Sequence, residues 1–288
     1  MKIEEIKNRI CLVAFDLDDT ALDGQGKLTE KTAYAIKKAS QCGIEPVIAS
    51  GRSFNSLPED IINVPGIRYA ICSNGANIFD VLEKKCISSY TLNSNSVRQI
   101  VELADDYSDT VFLDAFTKGV PHTDHRVLDS LLQNDKISEH RKIYLKKTRI
   151  AENDIRSFIR QNETGLDCIN YNVFDSRLFD QLMYRLSKEV EGVYVTSSIP
   201  ELIEISDEKS GKAGGLKRIA ELLKIDISET AAFGNADNDA EMIRCSGLGY
   251  AVSNSSKEAL DAADIIIGPN TEESVADAIL ELCSLKSL

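Results

Sequence analysis

The run CLVAF at 11–15 stops abruptly at Asp16-Leu17-Asp18-Asp19-Thr20. A continuous apolar run this short reads as a strand buried on both faces, as in parallel sheets covered by helices. An apolar strand that feeds directly into three carboxylates is costly as pure structure. Grouped carboxylates raise one another's pKa unless a cation sits among them. The carboxyl ends of parallel strands are also where open α/β sheets place ligands. The plainer reading is a solvated acidic turn, for which Asp is well suited.

Both ends of the chain repeat this pattern. EPVIAS at 45–50 is a second buried strand ending at Gly51, and YAICS at 69–73 a third, ending at Asn74-Gly75. Between the first two, Thr29 caps a helix running to Gln41, with Gly43 as its stop. Strand and helix alternate again from 213 onward: a helix over 213–223, the strand TAAFG, the short helix DAEMIRC, the strands LGYAV and DIIIG, and a final helix over 273–285. Such alternation predicts one α/β, doubly wound, mostly parallel sheet built from both chain ends. The middle is patterned differently. NIFD with KKCISSYT reads as a hairpin, followed by helices at 94–107, 124–132, 154–159 and 176–188. The strands TVFLDAF, RKIYLKKT, LDCINYNVF, VYVTSS and ELIEIS fall between and after them. This α+β segment, 81–206, reads as a domain inserted into a discontinuous core of 1–80 and 207–288. A length of 288 residues fits two domains.

Composition narrows the function. With 43% hydrophobic and 27% charged residues the chain can bury a real core. A formal net charge of −13 repels phosphate backbones and anionic lipid, so neither nucleic acid nor a membrane surface is expected as partner. No apolar run approaches the length of a membrane helix, and the N-terminus lacks a signal-peptide pattern. The seven cysteines are odd in number and scattered, which favours neither a disulfide framework nor zinc and fits a reducing cytoplasm.

Three further segments end strands or open helices of the same predicted sheet. Ser50-Gly51 can offer a hydroxyl and backbone N–H groups to a phosphate oxygen, although Ser-Gly after a strand is ordinarily a turn. Lys212 opens a predicted helix, where a cation opposes the helix dipole; a local anion would explain it, and a surface lysine is the plain alternative. Asn235, Asn238 and Asp239 follow TAAFG, with oxygens suited to a hard cation such as Mg²⁺ or simply to a helix N-cap.

In this order the four segments resemble the four motifs of the haloacid dehalogenase-like hydrolases. The match is similar to the Cof-like branch, whose members insert a large α/β cap between the second and third motifs. The tail GYAVSNSSKEALDAADIIIGPNTEESVADAI, with Asn254, and the turn Ser73-Asn74-Gly75-Ala76 also look like that branch. The resemblance implies a Mg²⁺-dependent phosphatase acting on a small phosphorylated metabolite, such as a sugar phosphate. Asp16 matches the nucleophile and Asp18 the general acid/base. Thr20 matches the residue that steadies the motif, Ser50 with Gly51 the phosphate-binding turn, and Lys212 the neutralising lysine. The metal would sit on Asp16, the Asp18 carbonyl and Asn235, with Asp239 in its first or second shell. Asn74 and Asn238 match supporting positions. The sequence departs from the pattern at Asn235, where an acid is usual, at Asp19, and at Ala213, where a glycine is common. A phosphomutase of the same superfamily, or a binding module weakened at Asn235, are the competing readings.

Other residues have bland readings. His122 and His125 sit in a polar loop as solvent-exposed side chains, and His140 has no partner motif. Arg52 serves phosphate or pairs with a surface acid. The basic stretch 141–149 alternates like the solvent face of a strand.

Overall fold

The computed structural model describes residues 3–134, 139–173, 175–199 and 201–286. The chain divides into two compact units: Met1–Arg52, Leu57–Ser88 and Ser210–Leu288 form one, and Ser53–Ser56 with Ser89–Lys209 the other.

In chain order the strands are β1 (Leu12–Phe15), β2 (Glu45–Ala49), β3 (Tyr69–Cys72), β4 (Asn77–Asp80), β5 (Lys85–Ser89), β6 (Val111–Thr117), β7 (Val120–Asp124), β8 (Ile150–Glu152), β9 (Cys168–Val173), β10 (Val193–Ile199), β11 (Leu202–Asp207), β12 (Thr230–Gly234), β13 (Leu248–Val252) and β14 (Ile265–Ile267). The first unit is an eight-stranded sheet ordered β14-β13-β12-β1-β2-β3-β4-β5. Its pairs from β14 through β3 are parallel, and β3–β4 is antiparallel. The first strand therefore lies at the centre, beside a strand more than two hundred residues away, with Phe15 opposite Phe233. Every residue of β1, β3 and β12 is buried, the reason these strands read as unbroken apolar runs. One face of the sheet, with Leu12, Ala14, Val47, Ala49 and Ile71, packs on Leu216 and Ile219 of the helix Gly211–Leu223. The helix Glu30–Gln41 starts where expected, its first turn capped by Thr29, whose side chain accepts from the Thr32 N–H at 3.2 Å.

The second unit is a six-stranded sheet ordered β10-β11-β9-β6-β7-β8, antiparallel except for β7–β8. Alternation splits its faces. Leu113, Ile169, Tyr171, Ile203 and Ile205 share a core with Val97, Ile100, Ile159, Leu182 and Leu186 of three helices. The opposite face carries a polar row in cross-strand register, Thr196–Glu204–Asn170–Asp114–Thr123, and all five are buried.

Two expectations change. The stretch 141–149 is not a strand: residues Glu139–Thr148 form a helix, and the strand β8 comes after it. Lys, Arg and Glu are good helix formers, Glu139 pairs with Lys142 one turn on at 3.0 Å, and Leu145 is buried while Ile143 is exposed. The hairpin of NIFD and KKCISSYT contributes β4 and β5 to the eight-stranded sheet, so the division falls at 88/89 rather than at 80/81, and at 209/210 rather than at 206/207. Phe174, expected to end β9, and the side chain of His140 lie outside the described residues.

Gly215 shows how tightly the helix Gly211–Leu223 seats. A Cβ built there would overlap Cγ2 and crowd Cγ1 and Cβ of Ile71 on β3. Gly→Ala normally stabilises a helix by roughly 1 kcal/mol; here overpacking should reverse the sign. Gly215→Ala is expected to destabilise the protein by about 1–3 kcal/mol, read as a lower urea midpoint at unchanged slope.

Candidate functional site

The geometry begins with β1 and β12. Their pairing continues one step past the strands, the Asp16 N–H donating to the Phe233 carbonyl at 2.9 Å. Residues 16 and 234 are thereby held side by side at the carboxyl edge. Asp16 keeps extended backbone (φ −69°, ψ 161°), and the chain then turns through Leu17–Ala21, with Asp19 in the left-handed region at φ 56°. Asp19 stands where the resembled family has a glycine, and its φ explains that preference.

Lys212 reaches this edge from the first turn of its helix, and its side chain is only 1% exposed. Its ammonium donates to Asp16 Oδ1 at 2.7 Å and to Asp239 Oδ1 at 2.6 Å. Asp239 is wholly buried. Its other oxygen accepts from the backbone N–H groups of Asn235 (2.9 Å) and Ala236 (3.0 Å). Gly234 makes that approach possible: a Cβ there would collide with the Asp239 side chain. Asp239, expected in the first or second shell of a metal, has one oxygen on Lys212 and the other on the turn it closes.

Thr20, also buried, donates its hydroxyl to Asn235 Oδ1 at 3.0 Å, tying the turn after β1 to the turn after β12. Asn254 Nδ2 donates to the Asp19 carbonyl at 3.0 Å. Ser50, at the end of β2, is buried; its carbonyl accepts from the Asn74 N–H at 3.2 Å, and its Oγ accepts from the Arg52 N–H at 3.1 Å. Gly51 is half-buried in the same bend. Asn74, at φ 49°, accepts from Asn238 Nδ2 at 3.0 Å, and among the described residues Asn238 Oδ1 is buried without a hydrogen-bond partner. Asp18 is half exposed and takes a two-point contact from Arg52: Nε to Oδ2 at 2.8 Å and Nη2 to Oδ1 at 2.7 Å. The expected site residues Asp16, Asp18, Thr20, Ser50, Gly51, Asn74, Asn235, Asn238 and Asp239 thus follow four neighbouring strand ends of one sheet, and Lys212 reaches them from the first turn of its helix.

His122 and His125 lie in the other unit. His122 is buried rather than solvent-exposed, stacked on Phe158 with centroids 4.1 Å apart and bonded through Nδ1 to Glu152 Oε1 at 2.7 Å. His125 Nδ1 lies 3.3 Å from the Glu152 carbonyl. These contacts account for both rings without a ligand.

Among the described residues no group of three or more His, Cys, Asp or Glu side chains could hold a metal. A cation at this edge would need the Asp16 carboxylate, the Asn235 amide oxygen, backbone carbonyls and water. An all-oxygen set completed by water is the chemistry Mg²⁺ favours, so the residues present fit that ion.

Electrostatics set the state of the nucleophile candidate. Burial pushes the Asp16 carboxyl up, to about 7, against the pull of the Lys212 ammonium; Asp239 and Asp18 add to the rise. Burial alone would lower the Lys212 ammonium, but the charges of Asp16 and Asp239 outweigh it and hold it above its ordinary value. The three buried groups carry a net charge of −1 when all are ionised, so removing one carboxylate leaves a neutral pair. The native state binds the Asp16 proton more tightly than the unfolded chain does. The stability drawn from that proton is full below the ordinary value of 3.8 and is lost as pH rises through about 7. Asp16→Asn has no such loss. With EDTA present, its melting temperature should exceed that of the wild type at pH 8, and the gap should narrow steadily as pH falls towards 4. A gap that does not vary with pH would show that Asp16 titrates normally.

A family model described as haloacid dehalogenase-like hydrolase matches residues 13–279. The chain is 25% identical to phosphatase YwpJ of Bacillus subtilis (strain 168) over 94% of this chain and 99% of the relative. It is also 25% identical to the 5-amino-6-(5-phospho-D-ribitylamino)uracil phosphatase YcsE of the same organism, over 97% of this chain and 98% of the relative. The fold is that of a solved haloacid dehalogenase-like hydrolase from B. subtilis, with a TM-score of 0.81 at 24% identity, covering 95% of this chain and all of that one. A subclass IIB sugar phosphatase, BT4131, has the same fold at a TM-score of 0.76 and 16% identity, over 94% of this chain and 98% of that one. The match spans both ends and the middle of the chain, and the chain belongs to the haloacid dehalogenase-like hydrolase family, in its Cof-like branch, as an enzyme that hydrolyses phosphate monoesters.

Proposed function

We propose that the protein is a Mg²⁺-dependent phosphatase of small phosphorylated metabolites, sugar phosphates or related polyol phosphates, working through a phosphoryl group carried on Asp16. The observation that carries this reading is the buried Lys212 ammonium shared between Asp16 and Asp239. A nucleophilic carboxylate must meet a dianionic phosphoryl group, and only a fixed positive charge beside it makes that approach favourable. The substrate class is supported by the names of two similar proteins, one a sugar phosphatase and one acting on a phosphoribitylamino compound.

In this reading an Asp16 oxygen attacks phosphorus in line, forming the acyl–phosphate bond as the ester P–O bond breaks. Asp18 gives its proton to the departing alkoxide. It then takes one from the water whose oxygen bonds to phosphorus as the Asp16–phosphorus bond breaks, which releases inorganic phosphate and frees Asp16. Ser50 Oγ and the N–H groups of its bend orient the phosphoryl oxygens, and Lys212 offsets their charge. Asp239 holds Lys212 in place, and Thr20 holds Asn235. Bound Mg²⁺, on the oxygens of Asp16, Asp18 and Asn235 with water, would supply further charge neutralisation. No helix among the described residues is long and apolar enough to cross a membrane. We place the enzyme in the cytoplasm, with neither nucleic acid nor membrane as partner.

Two measurements test this. Asp16→Asn should reduce phosphate release from a panel of sugar phosphates at least ~100-fold, as loss of a nucleophile normally does, and Asp18→Asn nearly as much. Retention of more than a few per cent of wild-type turnover in Asp16→Asn would remove the covalent route. Asn235→Asp adds a charge at the proposed ion site, and charged contacts are roughly twice as strong as neutral ones. The Mg²⁺ concentration for half-maximal activity should fall at fixed pH and ionic strength; an unchanged or higher value would place residue 235 outside the ion's ligands.

A further inference from the structure

Asp18 is the proposed proton carrier, and unlike the buried Asp16 and Asp239 it is exposed. It sits on an irregular turn with its side chain 52% exposed. Nothing in the backbone fixes rotation of its carboxylate about Cβ–Cγ. One hydrogen bond would not fix it either, but two parallel bonds from a planar guanidinium do. Arg52 supplies such a pair, 2.8 Å to Oδ2 and 2.7 Å to Oδ1, and no other described side chain donates to that carboxylate. Arg52 is itself anchored. Its N–H donates to Ser50 Oγ at 3.1 Å, and its carbonyl accepts from the Ser73 N–H at 2.9 Å. The clamp on Asp18 is therefore built on the same bend that carries Ser50, so one residue links the proton carrier to the phosphate-binding hydroxyl.

We propose that Arg52 is the positioning residue for Asp18: its two-point contact sets the plane of the carboxylate, and hence which oxygen faces the leaving group. This rests on the reading of Asp18 as acid/base given above. A guanidinium fits a phosphate equally well, so the rival role is a direct anchor for the phosphoryl group. The two roles differ in what lysine can replace and in which substrates suffer. An anchor needs charge; a clamp needs the fork.

The test compares wild type, Arg52→Lys, Arg52→Ala, Asp18→Asn and the Arg52→Ala/Asp18→Asn double variant on two substrates. Glycerol phosphate needs a proton on its departing oxygen; 2,4-dinitrophenyl phosphate does not, and its first step is read as the pre-steady-state burst of dinitrophenolate. Positioning predicts that both Arg52 variants lose about 10–100-fold in kcat on glycerol phosphate, at the lower end of what acid–base catalysis contributes, with KM nearly unchanged. The burst rate should stay within about threefold, and Arg52→Ala should add little to Asp18→Asn, because residues acting through one another are not additive. Rescue by Arg52→Lys, a raised KM on both substrates, or a full multiplicative loss in the double variant would overturn the clamp in favour of the anchor. The variant Arg52→Lys, which keeps stem and charge, carries the comparison if Arg52→Ala does not fold. Failure of the underlying reading looks different: Asp18→Asn would itself turn over glycerol phosphate normally.

Discussion

The pairing of β1 with β12 is the contact on which the rest depends. It joins Phe15 to Phe233 across the whole intervening chain and is extended by the bond from the Asp16 N–H to the Phe233 carbonyl. Closing so long a loop is entropically unfavourable, though the cost grows only slowly with length. It is offset by burial of every residue of both strands. What results is a shared edge at which a turn near residue 20 and a turn near residue 235 face each other, joined by Thr20 and Asn235. Neither half can form this site alone. An insertion as large as the second unit is tolerated because its ends leave and rejoin the first unit at Ser88 and Ser210 without interrupting the pair.

Lys212 is the electrostatic counterpart of that pairing. A fully buried ammonium is tolerable only with charged partners, and truncating one member of such a group typically costs about 3–5 kcal/mol. Here it has two carboxylate partners. Burial, with the charges of Asp239 and Asp18 adding to it, pushes the Asp16 carboxyl up to about 7 against the pull of Lys212. The same arrangement separates the two acids: Asp239 has its oxygens on Lys212 and on its own turn, while Asp16 ends a strand with one oxygen on Lys212.

Much of the core was legible in the sequence because its strands are buried on both faces and end in polar residues. The runs at 11–15, 45–49, 69–72 and 230–234 mark four neighbouring strand ends, and the ligand-type residues follow each one. The outer strands and middle segment were harder. The helix Glu139–Thr148 hid behind charges that alternate by accident, although Leu145 is buried. The strand β5 has a mostly exposed burial pattern, so no periodicity tied it to the first sheet. Pairwise contacts were harder still. For Arg52 the sequence left phosphate and a surface acid as alternatives, because the bend that aims it at Asp18 is a property of three-dimensional backbone. For Asp239 the shell was left open, because a motif shows which acids are grouped, not which way each one points.

The six-stranded sheet carries an asymmetry with a broader consequence. Its apolar residues hold the three helices, while Thr196, Glu204, Asn170, Asp114 and Thr123 line the other side in register. A slip of one residue in any strand would exchange those faces, driving Glu204 or Asp114 into the hydrocarbon core, so the alignment is policed by misfolding. Within that fixed alignment the two faces can drift independently in evolution. Residues of similar size can be exchanged along the polar row while the helix-facing core stays intact, and so one scaffold can be retuned many times without being rebuilt.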